Sequence, residues 1–208
     1  MPAKWENTDF DVFKIDGLEH RMQALIEKVR PKFESFGNHY ASFFSSKLGD
    51  EFFPHVAKHA RRSVNPPKDS WVAFGPYKRG YKAIPHFQIG LWGTHVFIIV
   101  AVIYEAPDKV AIAEKLLTKK KLFKQLPKDF IISGDHMSPE AISLEQGYKE
   151  ELDKLLIRLR DVKKGEFLVG RHLKKEDAVK MSGEEFEAYA EETFEALLPI
   201  YNVMVNKK

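Results

Sequence analysis

The sequence predicts an α+β protein in which helices pack on a central, mostly antiparallel sheet of about five strands. Apolar residues recur at helical spacing before residue 50 and again after Pro107. Between these regions, residues 61–104 carry short β-type runs that glycine and proline interrupt. The run from Val96 to Ile103 is continuously apolar, which is typical of a strand covered on both faces. Helices on either side of a group of strands favour an α+β sandwich.

Two helices are expected in the first fifty residues. Asp16 and Glu19 frame the start of the first helix as a cap and its reciprocal partner. Pro31 suits the first turn of a second helix, which we expect to end at Gly49. The inner face of this second helix is mostly aromatic: Phe33, Phe36, Tyr40, Phe43, Phe44 and Leu48. So many rings need a broad surface to pack on, such as a sheet.

The strands lie in the middle and late parts of the chain. Gly93 separates two β-type runs by a tight turn, which predicts an antiparallel hairpin. The strand candidates are Trp71–Phe74, His86–Trp92, Thr94–Tyr104, Phe130–Ser133 and Glu166–His172. The order of the last two in the sheet stays open, because parallel and antiparallel placement both satisfy their patterns.

Helical spacing returns in three later segments. Pro107–Leu126 and Leu144–Val162 are predicted helices, and the second has a strongly apolar inner face. Ser182 and Glu185 form a capping box that opens a terminal helix, in which Pro199 should produce a kink or an interruption. Because no internal repeat or long linker divides the chain, residues 1–208 are expected to form a single domain.

Composition excludes several classes of protein. The chain has no cysteine, which removes disulfide scaffolds, thiolate zinc sites, iron–sulfur clusters and cysteine nucleophiles. The longest apolar run, residues 96–104, is well short of the roughly 20 residues of a membrane helix, and the first residues lack the apolar core of a signal peptide. We therefore expect a cytoplasmic protein with no membrane segment. The net charge of +3 names no partner, and glycine-rich nucleotide motifs are absent, so the cofactor stays undetermined.

Residues 61–82, the basic-aromatic segment, are the most unusual part of the sequence. They hold six basic residues and one acidic residue, interleaved with Trp71, Tyr77 and Tyr81. Cations neutralise phosphate and flat rings stack on bases or sugars, so the segment suits an anionic ligand or nucleic acid. Trp71, Tyr77, Lys78 and Arg79 are the predicted ligand-binding residues of this segment. The alternative is a solvated hairpin whose rings cover the core.

Two histidines are candidates for general acid–base catalysis. His86 begins a predicted strand close to the basic-aromatic segment, and His172 ends the last strand beside Arg171. Strand ends often carry ligand-binding groups, because the sheet holds them rigidly while the loop leaves them exposed. We therefore expect Arg171 to contribute to ligand binding and hypothesise that Arg79, His86, Arg171 and His172 converge on one anion.

No metal site is predicted. His55 and His59 stand four residues apart, as two imidazoles on one helix face would, but a third ligand is missing and a structural role is favoured. Asp135-His136 near Ser133 suggests a serine–histidine–aspartate triad. The sequence has no G-x-S-x-G elbow, and adjacent residues cannot orient one another as a triad requires, so we assign none.

Three stretches resemble a known family. They are Asp9-Phe10-Asp11-Val12-Phe13, the segment from Asn65 through Trp71-Val72-Ala73-Phe74-Gly75-Pro76 to Tyr81-Lys82, and Val169-Gly170-Arg171. Together they resemble the YktB-like family of uncharacterised proteins from Gram-positive bacteria, over the full length of the chain. The resemblance implies one intact cytoplasmic domain, and it supplies neither a reaction nor a catalytic residue.

Three functions are compatible with these residues. The favoured one is a binding module for an anionic ligand, either nucleic acid or a phosphorylated metabolite, centred on the basic-aromatic segment. The second is a small enzyme with a histidine acid–base and an arginine that binds the substrate anion. The third is a protein-interaction module that presents the basic segment to an acidic partner. The oligomeric state is left open.

Overall fold

The computed structural model of the chain describes residues 2–207. Its strands are β1 (Phe53–Val56), β2 (Asp69–Gly75), β3 (His86–Trp92), β4 (His95–Val102), β5 (Phe130–Ser133), β6 (Ile142–Ser143) and β7 (Phe167–Lys174). They form one sheet in the order β1-β2-β3-β4-β7-β5-β6. The pairs β1–β2, β5–β6 and β5–β7 are antiparallel. Only Gly93 and Thr94 connect β3 to β4, a length that permits antiparallel pairing alone.

Eight α-helices occur within residues 2–207. They are α1 (Asn7–Asp11), α2 (Leu18–Ala24), α3 (Arg30–Leu48), α4 (Lys109–Thr118), α5 (Leu144–Gly147), α6 (Glu151–Asp161), α7 (Lys175–Ala178) and α8 (Gly183–Val205). Short 3₁₀ helices occupy Val12–Lys14, Tyr81–Ala83 and Lys120–Gln125, and a π-helical turn, Leu25–Val29, joins α2 to α3. None of the described helices is long and apolar enough to cross a membrane.

The α+β class and the helices packed on the sheet are confirmed, whereas the expected number of about five strands is wrong. The structure has seven strands in residues 2–207, and the sequence pattern does not indicate two of them, β1 and β6. Pro54 lies within β1, and proline argues against a strand unless the strand lies at an edge, as β1 does. β6 has two residues at the opposite edge, too few for any alternation to appear.

The local signals predicted for α3 and for the start of α8 are confirmed, whereas the cap predicted at Asp16 is wrong. Pro31 lies in the first turn of α3, and Gly49 caps its end in the left-handed conformation. Ser182 and Glu185 form the predicted capping box, with each backbone amide bonded to the other side chain at 2.7 and 3.1 Å. Asp16 does not cap α2, because Gly17 occupies the N-cap position of this helix. The helix α8 continues through Pro199 without interruption.

The chain divides into two compact units, each assembled from three segments. The first, unit 1, comprises residues 1–78, 88–97 and 173–191. Its core is aromatic: the Trp5 ring is buried within 6 Å of the rings of Phe33, Phe36 and Phe186. The helix α3 packs on β1 and β2, so the aromatic stripe of this helix meets a sheet as the sequence predicts.

The second unit, unit 2, comprises residues 79–87, 98–172 and 192–208. Its two main helices, α4 and α6, pack against each other. Lys109 fixes this pair, because its buried Nζ donates hydrogen bonds to the carbonyls of Leu159 and Val162 at the end of α6, at 2.7 and 2.6 Å. A cation at this position is favoured by the helix dipole. The contact fixes the end of α6, from which the chain turns into β7.

Candidate functional site

The basic-aromatic segment is not a single loop in the structure. Strand β2 runs through its middle, so Arg61, Arg62 and Lys68 precede the strand and Tyr77 and Lys78 follow it. Trp71 lies within β2, four residues or about 13 Å before the end of the strand. Its ring is perpendicular to that of His59, with centroids 5.5 Å apart. The strand thus separates Trp71 from Tyr77 and Lys78.

Tyr77, Lys78 and Arg79 are all exposed on the turn after β2. The carbonyl of Tyr77 accepts a hydrogen bond from Nε2 of His55 at 3.0 Å, and Nζ of Lys78 lies 5.5 Å from the Phe53 ring centroid. His55 is in β1, so the helical spacing expected for His55 and His59 is wrong. These contacts fix the backbone of the turn and leave its cationic ends exposed.

Arg171 is buried in unit 2 and already has acidic neighbours. Its guanidinium lies 2.8 Å from Asp129 and 3.0 Å from Glu192, and it stacks 4.9 Å from the centroid of the Phe130 ring. His86 is fully buried and donates from Nδ1 to the carbonyl of Ile84 at 2.8 Å. His172 is half-buried. The roles assigned to these three residues remain predictions.

A cleft that the sequence did not indicate lies in unit 2, around His136. We call it the His136 cleft; its volume is about 320 Å³. It is lined by Tyr104, Gly134, Asp135, His136, Met137, Arg158, Lys164 and Glu166. Tyr104 and Met137 are exposed apolar residues, 45% and 57% accessible. The cleft therefore combines apolar walls with charged groups of both signs, a combination common in small-molecule sites.

Glu166 anchors the cleft through a buried carboxylate. The ring of His136 contacts both oxygens of this carboxylate through Nδ1, at 2.7 and 2.9 Å, and the His136 backbone amide donates to Oε2 at 3.0 Å. The Tyr104 amide donates to Oε1 at 3.4 Å. Burial acts to raise the pKa of the Glu166 carboxyl, but the hydrogen bonds and the attraction of His136 outweigh it and lower this pKa. Glu166 is therefore a carboxylate at neutral pH.

This contact fixes the tautomer of His136. A carboxylate only accepts hydrogen bonds, so Nδ1 carries the hydrogen and Nε2 of the neutral ring carries the lone pair. Within residues 2–207 Nε2 has no hydrogen-bond partner, and the side chain is 21% exposed. An oriented imidazole with an open nitrogen is suited to accept or donate a proton.

Two cations share the cleft with His136. Arg158 projects from α6, and Lys164 lies in the turn between α6 and β7. Both are exposed, and over the described part of the chain neither side chain has a hydrogen-bond or ion-pair partner. Cations that are not neutralised by nearby carboxylates provide binding energy for an anion.

Two turns position the groups around His136. After β5, the Asp135 amide donates to Ser133 Oγ at 3.3 Å and Asp135 Oδ1 accepts from the Met137 amide at 2.8 Å, which presents His136 at the strand end. Before β7, the Gly165 amide donates to the Val162 carbonyl at 2.8 Å. Gly165 packs directly against the Arg158 carbonyl, and this contact places Glu166 beside His136.

The cleft also contains three groups that are known metal ligands. Asp135, His136 and Glu166 each offer one ligand atom, and these atoms lie within 4.8 Å of one another. Imidazole and carboxylate are common ligands of divalent metals. Because Nδ1 of His136 is hydrogen-bonded to Glu166, the arrangement is first of all a histidine–carboxylate pair.

Comparison with known proteins identifies the family. Residues 5–201 match DUF1054, a domain of unknown function. The chain belongs to this family. A UPF0637 protein of Lysinibacillus sphaericus is 66% identical over 208 residues, which cover 100% of this chain and 99% of the relative. UPF0637 proteins of Bacillus cytotoxicus and Bacillus cereus are 46% and 48% identical over 200 and 198 residues, about 95% of each chain.

These relatives confirm the resemblance to the YktB-like family, because they come from Gram-positive bacteria and align over nearly the whole chain. The names of the DUF1054 relatives describe no reaction or ligand. The function of the chain must therefore be inferred from its own residues.

Sequence reasoning missed the His136 cleft in this DUF1054 chain for a definable reason. In the sequence, the motif Asp135-His136 suggests only a nearby serine as a partner, whereas the actual partner, Glu166, lies 30 residues further along the chain. The one local signal is the position of His136 just beyond a strand, where functional groups are frequent. Nothing in the local pattern pairs His136 with Glu166, which stands just before β7, two strands later in the chain.

Proposed function

We propose that the protein is an enzyme that acts on a small anionic substrate in the His136 cleft. The observation that carries the proposal is the contact of 2.7 Å between the buried Glu166 carboxylate and Nδ1 of His136, in a cleft with two unneutralised cations. A carboxylate, an imidazole and an open position beside it are the parts of a general acid–base site.

Each group has a defined role in this proposal. Nε2 of neutral His136 accepts a proton from the substrate and returns it later in the reaction. Glu166 stabilises the imidazolium that forms between these steps and keeps the ring in one orientation. Arg158 and Lys164 bind the anionic group of the substrate. The enzyme class is the one considered from the sequence, with His136 and Arg158 taking the roles given there to His86, His172, Arg79 and Arg171.

The proposal can be tested by NMR, through the tautomer of His136 and the response of its resonances to an anion. We expect ¹⁵N NMR of the neutral ring to show hydrogen on Nδ1, and inorganic phosphate to shift the His136 resonances. Arg158→Ala should weaken the phosphate response at least fivefold, while the control Lys163→Ala, an exposed cation outside the cleft lining, should not. Hydrogen on Nε2, or His136 resonances that phosphate leaves unchanged, would contradict the proposal.

A second proposal concerns nucleic acid. Tyr77, Lys78 and Arg79 follow one another as exposed residues on one turn, and this favours binding of a polyanion at that surface. We expect a labelled single-stranded oligonucleotide to bind, by fluorescence anisotropy at near-physiological salt, and Arg79→Ala to weaken binding more than Lys163→Ala does. If the two variants bind the oligonucleotide with equal affinity, the proposal of a nucleic-acid site on this turn is overturned.

A further inference from the structure

A second depression, which we call the side lobe, lies beside the His136 cleft. The side lobe has a volume of about 440 Å³ and shares Gly134, Asp135 and Arg158 with the His136 cleft. The rest of its lining consists of Ile132, Ser133, Ser138, Glu140, Ala141 and Ile142. Because Arg158 lines both spaces, a ligand whose anionic group contacts Arg158 has room to extend into the side lobe.

Most of the polar side-chain oxygens in the side lobe are hydrogen-bond acceptors. The Glu140 carboxylate has no hydrogen-bond or ion-pair partner among residues 2–207, and Asp135 uses Oδ1 for the Met137 amide. Ser138 Oγ accepts from the Glu140 amide at 3.2 Å, which leaves its hydroxyl hydrogen to donate. Carboxylates with open lone pairs accept hydrogen bonds from hydroxyl groups, and from ammonium groups as well.

An apolar ligand does not fit this chemistry. It would cover Asp135 and Glu140 without supplying hydrogen bonds, and a desolvated carboxylate without a partner is costly. A ligand with several hydroxyl groups satisfies the same oxygens.

We propose that the substrate is a sugar phosphate. Its phosphate lies between Arg158 and Lys164 beside His136, and its hydroxyl-bearing body occupies the side lobe against Glu140 and Asp135. This inference rests on the proposed function, since it uses the same anion-binding residues, and it adds the class of molecule that carries the anion.

The test compares four probes by isothermal titration and by the His136 resonances: inorganic phosphate, D-glucose, D-glucose 6-phosphate and O-phosphoethanolamine. We expect glucose 6-phosphate to bind at least tenfold more tightly than phosphate, and glucose alone to bind weakly. Glu140→Gln should weaken the affinity for glucose 6-phosphate at least threefold and leave the affinity for inorganic phosphate unchanged. The control is Glu145→Gln, at an exposed carboxylate on α5 that pairs with Lys128 at 3.0 Å and lies outside the lining of the His136 cleft and of the side lobe.

The outcomes distinguish a failure of the sugar phosphate proposal from a failure of the proposed enzyme function. Phosphate and glucose 6-phosphate could bind with equal affinity, and Arg158→Ala could weaken the binding of both. This result would overturn the proposal of a sugar phosphate substrate, while the proposed anion site at Arg158 would stand. Tighter binding of O-phosphoethanolamine than of glucose 6-phosphate would also overturn it, because the carboxylates would then recognise an ammonium group. If none of the phosphate-containing probes shifts the NMR resonances of His136, the proposed function itself is contradicted.

Discussion

At the scale of single residues, Glu166 has the greatest influence on the candidate site. Its carboxylate is almost completely buried, and it accepts hydrogen bonds from His136 and from the Tyr104 amide. A buried carboxylate is tolerated only when such donors compensate for the lost hydration. The same bonds that stabilise Glu166 also orient His136, so one side chain links the stability of the fold to the geometry of the cleft.

Glu166→Gln should therefore reduce stability in a pH-dependent manner. The pKa of Glu166 lies below its ordinary value of 4.5 in the folded chain, so its contribution is complete above about pH 4.5 and is lost as the pH falls through the lowered pKa. Urea unfolding at pH 7 should give a loss of about 1–2 kcal/mol for the variant.

The difference between wild type and Glu166→Gln should shrink as the pH falls below about 4.5 and through the lowered pKa of the wild-type Glu166 carboxyl. Glu145→Gln, at an exposed carboxylate, serves as the control and should change the free energy of unfolding by less than about 0.5 kcal/mol. A difference for Glu166→Gln that stayed constant from pH 7 to pH 3 would contradict the assigned ionisation.

At the scale of secondary-structure elements, the turn between α6 and β7 sets the position of the cleft. α6 supplies Arg158, the turn supplies Lys164, and Glu166 stands immediately before β7. The turn passes so close to α6 that a Cβ at residue 165 would overlap the Arg158 carbonyl oxygen. Only glycine permits this approach, because the obstacle is backbone and cannot rotate away.

Gly165→Ala should consequently destabilise the protein by more than about 2 kcal/mol and displace Glu166 from His136. Gly134→Ala is the matched variant at a glycine that lines the cleft, where a Cβ would meet the flexible Leu155 side chain at 2.6 Å. Chemical denaturation should rank Gly165→Ala as the more destabilised variant. The reverse order would show that the approach of the turn to α6 is not the constraint.

At the scale of the whole molecule, the two units share continuous elements. Strands β3, β4 and β7 and helix α8 each begin in one unit and end in the other. If one unit unfolded alone, part of each of these elements would have to unfold while the rest stayed folded. We therefore expect one cooperative transition, which is the behaviour of a single domain.

The distribution of tryptophan allows this expectation to be measured. Trp5, Trp71 and Trp92 all belong to unit 1, whereas His136 belongs to unit 2. Tryptophan fluorescence and the NMR resonances of His136 should lose their native values at the same urea concentration. Two separate midpoints would show that the units unfold independently and would contradict the single-domain prediction.

Features of the fold that depend on neighbouring residues were predictable from the sequence. The position of Pro31 in the first turn of α3 and the end of α3 at Gly49 follow from backbone preferences of those residues, and Ser182 and Glu185 satisfy the first turn of α8. The hairpin around Gly93 follows from a short connection between two apolar runs. Periodicity and capping act within a few residues, so the sequence alone determined the fold class and most element positions.

Tertiary structure decided the strand order and the candidate site. β7 lies between β4 and β5, and β1 and β6 exist as strands because neighbouring strands supply their hydrogen bonds. His136 and Glu166 form a pair because β5 and β7 are adjacent and antiparallel, which brings a residue after one strand to a residue before the other. The physical reason is that a contact across a sheet depends on pairing and register, and neither leaves a local pattern in the chain.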